Sequence, residues 1–322
     1  MIKKNSKIFV AGHNGLVGKA VLEIFKKKGY KNILVIDRKK LDLRNEKKVS
    51  LFFKKNKPEF LVICAARVGG ILENNNFPLE FLVDNIDIEK NLLLATKKFN
   101  LKRTIFLGSS CIYPKTNKIP IKEEYLMNGK LEPTNESYAL SKIVGIKLSA
   151  ILHDHYKKDI VCLMPTNVYG INDNFEISSS HVVPGLITKF INAINKDQDI
   201  RIWGSGKPVR EFIHVDDLAN AILFSLKVSK MKLNKVNKNK LPLFNVGSGE
   251  SISIKDLAYL IAKIVKFKNK IIFDTKYPDG TLNKNLDSSK IKRINWKRKI
   301  NFKNGLSKII QARLKKYILK NN

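Results

Sequence analysis

The chain has 322 residues, enough for two domains or one domain with a substantial lobe, and its 43% hydrophobic content suits a packed core. No window approaches the ~18 consecutive apolar residues of a transmembrane helix, no signal-peptide core follows the basic N-terminus, and Cys64, Cys111 and Cys162 form no C-x-x-C pair. A membrane span, a secreted disulfide scaffold and a cysteine zinc site are therefore set aside; a cytoplasmic protein with no metal and no membrane partner is expected.

The first half alternates short apolar strands with helical stretches. Residues 7–11 read as a buried strand, and 16–28 as a helix with Val17, Ala20, Val21, Ile24 and Phe25 on one face and Gly29 as its cap. Further strands are predicted at 33–36, 60–64, 104–107 and 160–163. Continuous apolar runs between amphipathic helices indicate α/β architecture, a doubly wound parallel sheet of Rossmann type covered on both faces. Beyond residue 167 the pattern loosens into Ser-, Gly- and Pro-rich loops, an amphipathic stretch over 183–194 and a late strand at 243–246. Residues 227–240, mostly Lys, Asn and Val, read as a solvated, mobile loop.

Net charge is +33, from 61 Lys and Arg against 28 Asp and Glu. Such a surplus raises nucleic acid as a partner, on a reductase fold or otherwise. Yet the lysines are spread over every segment, with no RNA-recognition string, basic aromatic helix or zinc-finger spacing. No specific nucleic acid is expected, and anionic small molecules are drawn to the surface in either case.

Between the first strand and its helix lie Gly12, His13, Asn14, Gly15, Leu16, Val17 and Gly18. Glycines after a strand and before a helix allow a tight turn and the close approach of a pyrophosphate, which the helix N-terminus then attracts. Asp37, at the end of the second strand, stands where an acid reads the ribose of NAD. Arg38, Lys39 and Lys40 could instead hold a 2′-phosphate. Downstream, Tyr138 and Lys142 are four apart in a helical stretch and share a face, so the ammonium is expected to lower the phenol's pKa. Ser109, just after the fourth strand, falls at the sheet edge where ligands bind in such folds. His153 and His155, two apart on a helix, point away from each other and read as surface residues; His214 reads as a structural hydrogen-bonding residue beside Asp216 and Asp217.

These marks resemble the extended short-chain dehydrogenase/reductase superfamily. The strings AARVGGI at 65–71, GSSCIYPK at 108–115, LEPTNE at 131–136, MPTNVYG at 164–170, SHVVP at 180–184, WGSG at 203–206 and REFIHVDD at 210–217 resemble, in order, its GDP-L-fucose synthase family. The resemblance implies epimerisation of GDP-4-keto-6-deoxy-D-mannose at C3 and C5, then reduction at C4 with NADPH, by a homodimer. It implies catalytic roles for Ser109, Tyr138 and Lys142, with Cys111 as base and His181 as acid. Outside this motif Cys111 would read as an ordinary buried cysteine and His181 as a loop histidine. The implied cofactor site adds Leu107, Gly108, Ser110, Pro165, Thr166, Asn167, Val168 and His181 to the glycine loop, Arg38, Ser109 and Lys142. The implied sugar-nucleotide site takes Lys189, Trp203, Arg210 and Asp279; Lys189 stands where the family has arginine. The expected division is 1–167 plus 211–249 for NADP and 168–210 plus 250–322 for the nucleotide sugar. A sibling NAD(P)-dependent nucleotide-sugar epimerase or dehydratase is the alternative, and the pair Cys111 and His181 discriminates against it.

Overall fold

The computed structural model describes residues 2–116, 118–277 and 279–321. In chain order the first half runs β1 (Ile8–Ala11), α1 (Leu16–Lys27), β2 (Ile33–Leu34), α2 (Glu46–Asn56), β3 (Phe60–Ile63), α3 (Ile71–Asn76), α4 (Pro78–Lys98), β4 (Arg103–Leu107), α5 (Glu136–Asp154) and β5 (Ile160–Pro165). The second half runs β6 (Asn167–Tyr169), α6 (Val182–Asn195), β7 (Ile200–Trp203), β8 (Val209–His214), α7 (Val215–Lys227), α8 (Lys230–Asn237) and β9 (Leu243–Val246). It closes with β10 (Ser251–Ser253), α9 (Ile254–Val265), β11 (Ile271–Asp274), β12 (Asn283–Lys284), α10 (Ser289–Arg293) and α11 (Phe302–Asn321).

Six strands form a parallel sheet in the order β2-β1-β3-β4-β5-β9. Side chains alternate across a strand, and the two faces of this sheet carry separate cores. Ile8, Val10, Val62 and Ile105 pack with Val21 and Phe25 of α1 and Leu218 and Ile222 of α7. Phe9, Leu61, Ile63 and Phe106 pack with Phe53 of α2, Leu92 of α4 and Ile146 of α5. Burial on both sides is why these strands are continuous apolar runs. The chain reverses its direction of travel across the sheet between β1 and β3, which opens a crevice at their carboxyl ends.

A smaller lobe packs α6, α9 and α11 around Phe212, Ile200 and Ile202. Its strands are few and short: β8 pairs with β10, β12 and β6, and β7 with β11. The chain passes from lobe to large sheet at His214, whose Nδ1 accepts from Asp216 N–H at 3.2 Å and caps α7.

Three sequence expectations need correction. Residues 227–240 are not a solvated loop: α8 occupies Lys230–Asn237, capped by Ser229, with Leu233 and Asn237 buried. The lysines and asparagines around them masked a short apolar face. The second strand is shorter than expected, since only Ile33 and Leu34 pair with β1 at the sheet edge. His153 is buried rather than on the surface, its Nδ1 3.1 Å from the Lys158 carbonyl.

Candidate active site

The cofactor loop is shaped by what cannot fit into it. Gly12 has φ +83°, and a Cβ there would lie 2.5 Å from Ala65 N at the end of β3. A Cβ on Gly18 would strike the Gly12 carbonyl, so loop and helix are in backbone contact. Gly15 is exposed, with room for a side chain at ordinary contact distance from the Gly12 carbonyl, and precedes α1, which has no acidic residue in its first turn. A phosphate placed there meets the helix's free N–H groups and no anion. The loop thus fits a dinucleotide pyrophosphate. Leu16 reaches across to Gly170, and Thr166 Oγ1 and Asn167 Nδ2 both donate to the Glu211 carbonyl, at 2.8 and 2.9 Å. These bonds fix the segment 165–168 that follows β5.

Asp37 is engaged by the loop itself. Asn14 Nδ2 donates to its Oδ1 at 2.9 Å, and His13 Nε2 lies 3.4 Å from the same oxygen. Arg38 is exposed in the turn that follows. The acid is thereby turned towards the loop while the Arg38 guanidinium is exposed beside it, an arrangement that suits a 2′-phosphate better than a bare ribose hydroxyl.

Ser109, Cys111, Tyr138 and Lys142 come together at the end of β4. Ser109 follows the strand by two residues, accepts from Cys111 N–H at 3.2 Å, and is hydrogen-bonded to Tyr138. Tyr138 and Lys142 lie one turn apart on α5, with Lys142 Nζ 5.6 Å from the phenol ring centre and donating to the Leu107 carbonyl at 3.2 Å. The phenol's pKa is raised, not lowered: burial is the largest influence, and Cys111 and Glu89 add to it against the pull of Lys142 and Ser109. Lysine charge counts here as a brake on a rise, because Phe81 packs edge-on against the ring and helps exclude water.

Cys111 is ringed by donors that the sequence did not single out. Asn135 Nδ2 lies 3.3 Å and Lys284 Nζ 3.8 Å from its sulfur. Arg210 and Lys284 are register partners on β8 and β12; burial lowers the Arg210 pKa, with Cys111, Glu132 and Asp279 opposing. Arg210 is itself held by the carbonyls of Val209 and Thr281 at 2.9 and 2.6 Å. His181 stands at the start of α6 with Glu73 as its charged neighbour; its ring reaches solvent, but the surrounding protein lowers its pKa by desolvation, and Glu73 opposes this.

Farther out, Trp203 stacks on Tyr277 with ring centres 4.6 Å apart, and Lys189 Nζ sits 5.1 Å over the indole. Asp279 is exposed and turned to Ser205, accepting from its N–H at 2.8 Å and from its hydroxyl at 2.5 Å. It anchors the loop beside the aromatic pair. Glu89 was also missed. It lies on α4 with its Oε1 2.8 Å from Lys142 Nζ, both side chains almost wholly buried. No local motif could have signalled it, since its partner is on another helix. No cluster of three or more metal-ligating side chains occurs among the described residues.

The profile of the NAD dependent epimerase/dehydratase family matches residues 8–247. The chain belongs to that family. Within it, the chain is similar to a putative GDP-L-fucose synthase 2 of Arabidopsis thaliana, 42% identical over 99% of this chain and 95% of the relative. A GDP-L-fucose synthase of Escherichia coli is 39% identical over 95% of each. Among solved structures, a GDP-mannoheptose C4 reductase from Campylobacter jejuni with NADP bound superposes with TM-score 0.88 at 32% identity, covering 98% of this chain and 100% of that one. A GDP-L-fucose synthetase from Naegleria fowleri bound to NADP gives 0.86 at 28%, covering 99% and 97%.

Proposed function

We propose that this chain is an NADPH-dependent epimerase-reductase that converts GDP-4-keto-6-deoxy-D-mannose to GDP-L-fucose. The observation that carries the reading is the position of Cys111: a thiol ringed by Lys284, Arg210 and Asn135 stands immediately beside a Ser109–Tyr138–Lys142 reductase site. A plain ketoreductase needs the second set alone. Epimerisation needs the first as well, because inverting a carbon requires a base on one face and an acid on the other.

In this reaction Ser109 and Tyr138 donate to the C4 oxygen, which stabilises the enolate and makes the C3 and C5 protons acidic. Cys111 removes those protons as the base, with Lys284 Nζ 3.8 Å from its sulfur. His181 returns protons from the opposite face. Its lowered pKa makes the imidazolium a stronger acid, while Glu73 preserves a protonated fraction. Residues 12–18, Arg38, 107–110, Lys142 and 165–168 would hold NADPH, which would supply the hydride for C4. Tyr138 then delivers a proton to the C4 oxygen, and its raised pKa keeps that proton in place at neutral pH. The stacked Trp203 and Tyr277, with Lys189, Arg210 and the loop anchored by Asp279, receive the GDP moiety.

The working form is a homodimer joined through α4 and α5. Leu79, Val83 and Leu94 make one exposed apolar stripe, and Leu140, Val144 and Ile151 another, on two helices that pack side by side. Sedimentation equilibrium tests the assembly. Unpaired thiols at 64, 111 and 162 fit a reducing compartment, the cytoplasm. The activity is tested by incubating the purified protein with GDP-4-keto-6-deoxymannose and NADPH. GDP-L-fucose, identified by mass and NMR, is expected; recovery of a reduced but unepimerised sugar would refute the reading.

A further inference from the structure

We infer that Glu89 is a positioning residue for the reductive step: its buried carboxylate holds the Lys142 ammonium at the end of β4, in place beside Tyr138. The inference rests on the reaction proposed above and assigns a role within it. Lys142 is anchored at two points, Glu89 Oε1 at 2.8 Å and the Leu107 carbonyl at 3.2 Å, and the two charged side chains are 3% and 2% exposed. Apart from the Lys142 ammonium at Oε1, neither carboxylate oxygen has a polar partner among the described residues, so the carboxylate is committed to this one cation.

Neighbouring residues are shaped around the pair. A Cβ at Gly145, one turn beyond Lys142 on α5, would lie 2.4 Å from Glu89 Oε2 and 2.4 Å from the Phe106 ring. Any other residue there would push the carboxylate away from the lysine. The titratable groups facing the pair are Tyr138 on α5, Cys64 after β3 and Cys162 on β5, with the Phe106 ring 5.3 Å from Nζ. Burial pushes each of those two thiols up to about 12, so neither supplies a compensating negative charge at neutral pH. Glu89 is the carboxylate in contact with the ammonium; burial raises its pKa, and Lys142 opposes that rise by charge and hydrogen bond.

A buried ion pair is weak evidence for stability, because desolvating two charges offsets their attraction. Its worth here is functional. Without a counter-charge, a buried ammonium either loses its proton or leaves for water. Either outcome removes the cation that restrains the rise in the Tyr138 pKa and contacts the cofactor.

The test uses Glu89→Gln, which keeps shape and removes charge, and Glu89→Asp, which keeps charge. The reduction rate and the NADPH dissociation constant, the latter measured by cofactor fluorescence without sugar, are followed from pH 6 to 10. Whichever proton of the Lys142–Tyr138 pair leaves first will leave more readily once the negative charge is gone. In Glu89→Gln the alkaline limb of the rate should therefore move down by about one pH unit or more. The alkaline rise in the NADPH dissociation constant should move in the same direction, and Glu89→Asp should restore part of both shifts. kcat should fall more than the KM for the sugar rises. A uniform loss of rate with unmoved inflections in both variants would show a packing role only and overturn the inference. Should Glu89→Gln fail to fold, Glu89→Asp decides by the same criterion. If the wild type does not reduce the ketone, the proposed reaction fails, while the cofactor-binding profile still tests Glu89.

Discussion

The two proton-handling corners of the site are built in opposite ways. Ser109, Tyr138 and Lys142 stand on regular structure, just after a buried strand and in the first turns of a long helix, with Phe81 edge-on to the phenol and Glu89 paired to the buried ammonium. Cys111 and His181 stand on a short turn and at a helix start, with solvent-accessible surface and charged neighbours. Burial dominates the first corner and raises the phenol's pKa, which suits a group that must keep its proton until the hydride arrives. Around Cys111 the sulfur instead meets polar and cationic donors, Asn135 Nδ2 at 3.3 Å and Lys284 Nζ at 3.8 Å. One crevice thus holds a buried proton donor on α5 and a thiol on the turn after β4.

That contrast breaks most sharply at Tyr138. Tyr138→Phe should lower NADPH oxidation by about 10²–10⁴-fold, while deuterium uptake from solvent at C3 and C5 suffers less, because Ser109 still faces the enolate oxygen. Equal losses in both assays would mean that the corners do not divide the work. Cys111→Ser is the converse: exchange at C3 and C5 should drop by about 10²-fold or more, with NADPH binding unchanged. Lys284→Met sharpens the electrostatic half of the comparison. Removing the ammonium beside the thiol should slow exchange by roughly tenfold, in line with one charge-assisted contact, and leave NADPH affinity untouched.

A similar factor is expected at the cofactor's far end. Arg38→Ala should raise the KM for NADPH about tenfold while changing that for NADH little, since a 2′-phosphate alone makes the charge-assisted bond. Equal effects on both cofactors would return control to Asp37. The smallest effect concerns stability. Burial raises the Asp173 carboxyl from 3.8 to about 6, and its Oδ2 has no partner among the described residues. A raised folded-state pKa means that stability is full below pH 3.8 and is lost as pH rises through about 6. Asp173→Asn should therefore stabilise the protein at pH 8 by roughly 1–2 kcal/mol, allowing for partial exposure, and leave it unchanged at pH 3.5. Chemical denaturation at the two pH values measures the difference.

The same contrast explains what could be read from the chain alone. The sheet, the glycine loop and the Tyr138–Lys142 spacing are local patterns in which neighbouring residues carry the signal. Apolar runs at β1, β3 and β5 needed no tertiary knowledge. Glu89 and Lys284 reach the site only because α4 packs on α5 and β12 pairs with β8, and Asn135 meets Cys111 only because the start of α5 packs on the turn at 110–112; no spacing in the sequence encodes those contacts. The direction of the Tyr138 shift was missed for the same reason. A lysine one turn away is visible in sequence, whereas the desolvation that outweighs it depends on packing. At α8 the surplus of Lys and Asn hid a cap and two buried positions that a less biased composition would have revealed.

The most direct test of the account follows three hydrogens in the wild-type enzyme. GDP-4-keto-6-deoxymannose is turned over in D₂O with unlabelled NADPH, and the product is read by NMR. The account predicts deuterium at C3 and C5, delivered from solvent through Cys111 and His181, and protium at C4, delivered from the cofactor. Protium at C3 and C5, or deuterium at C4, would contradict it.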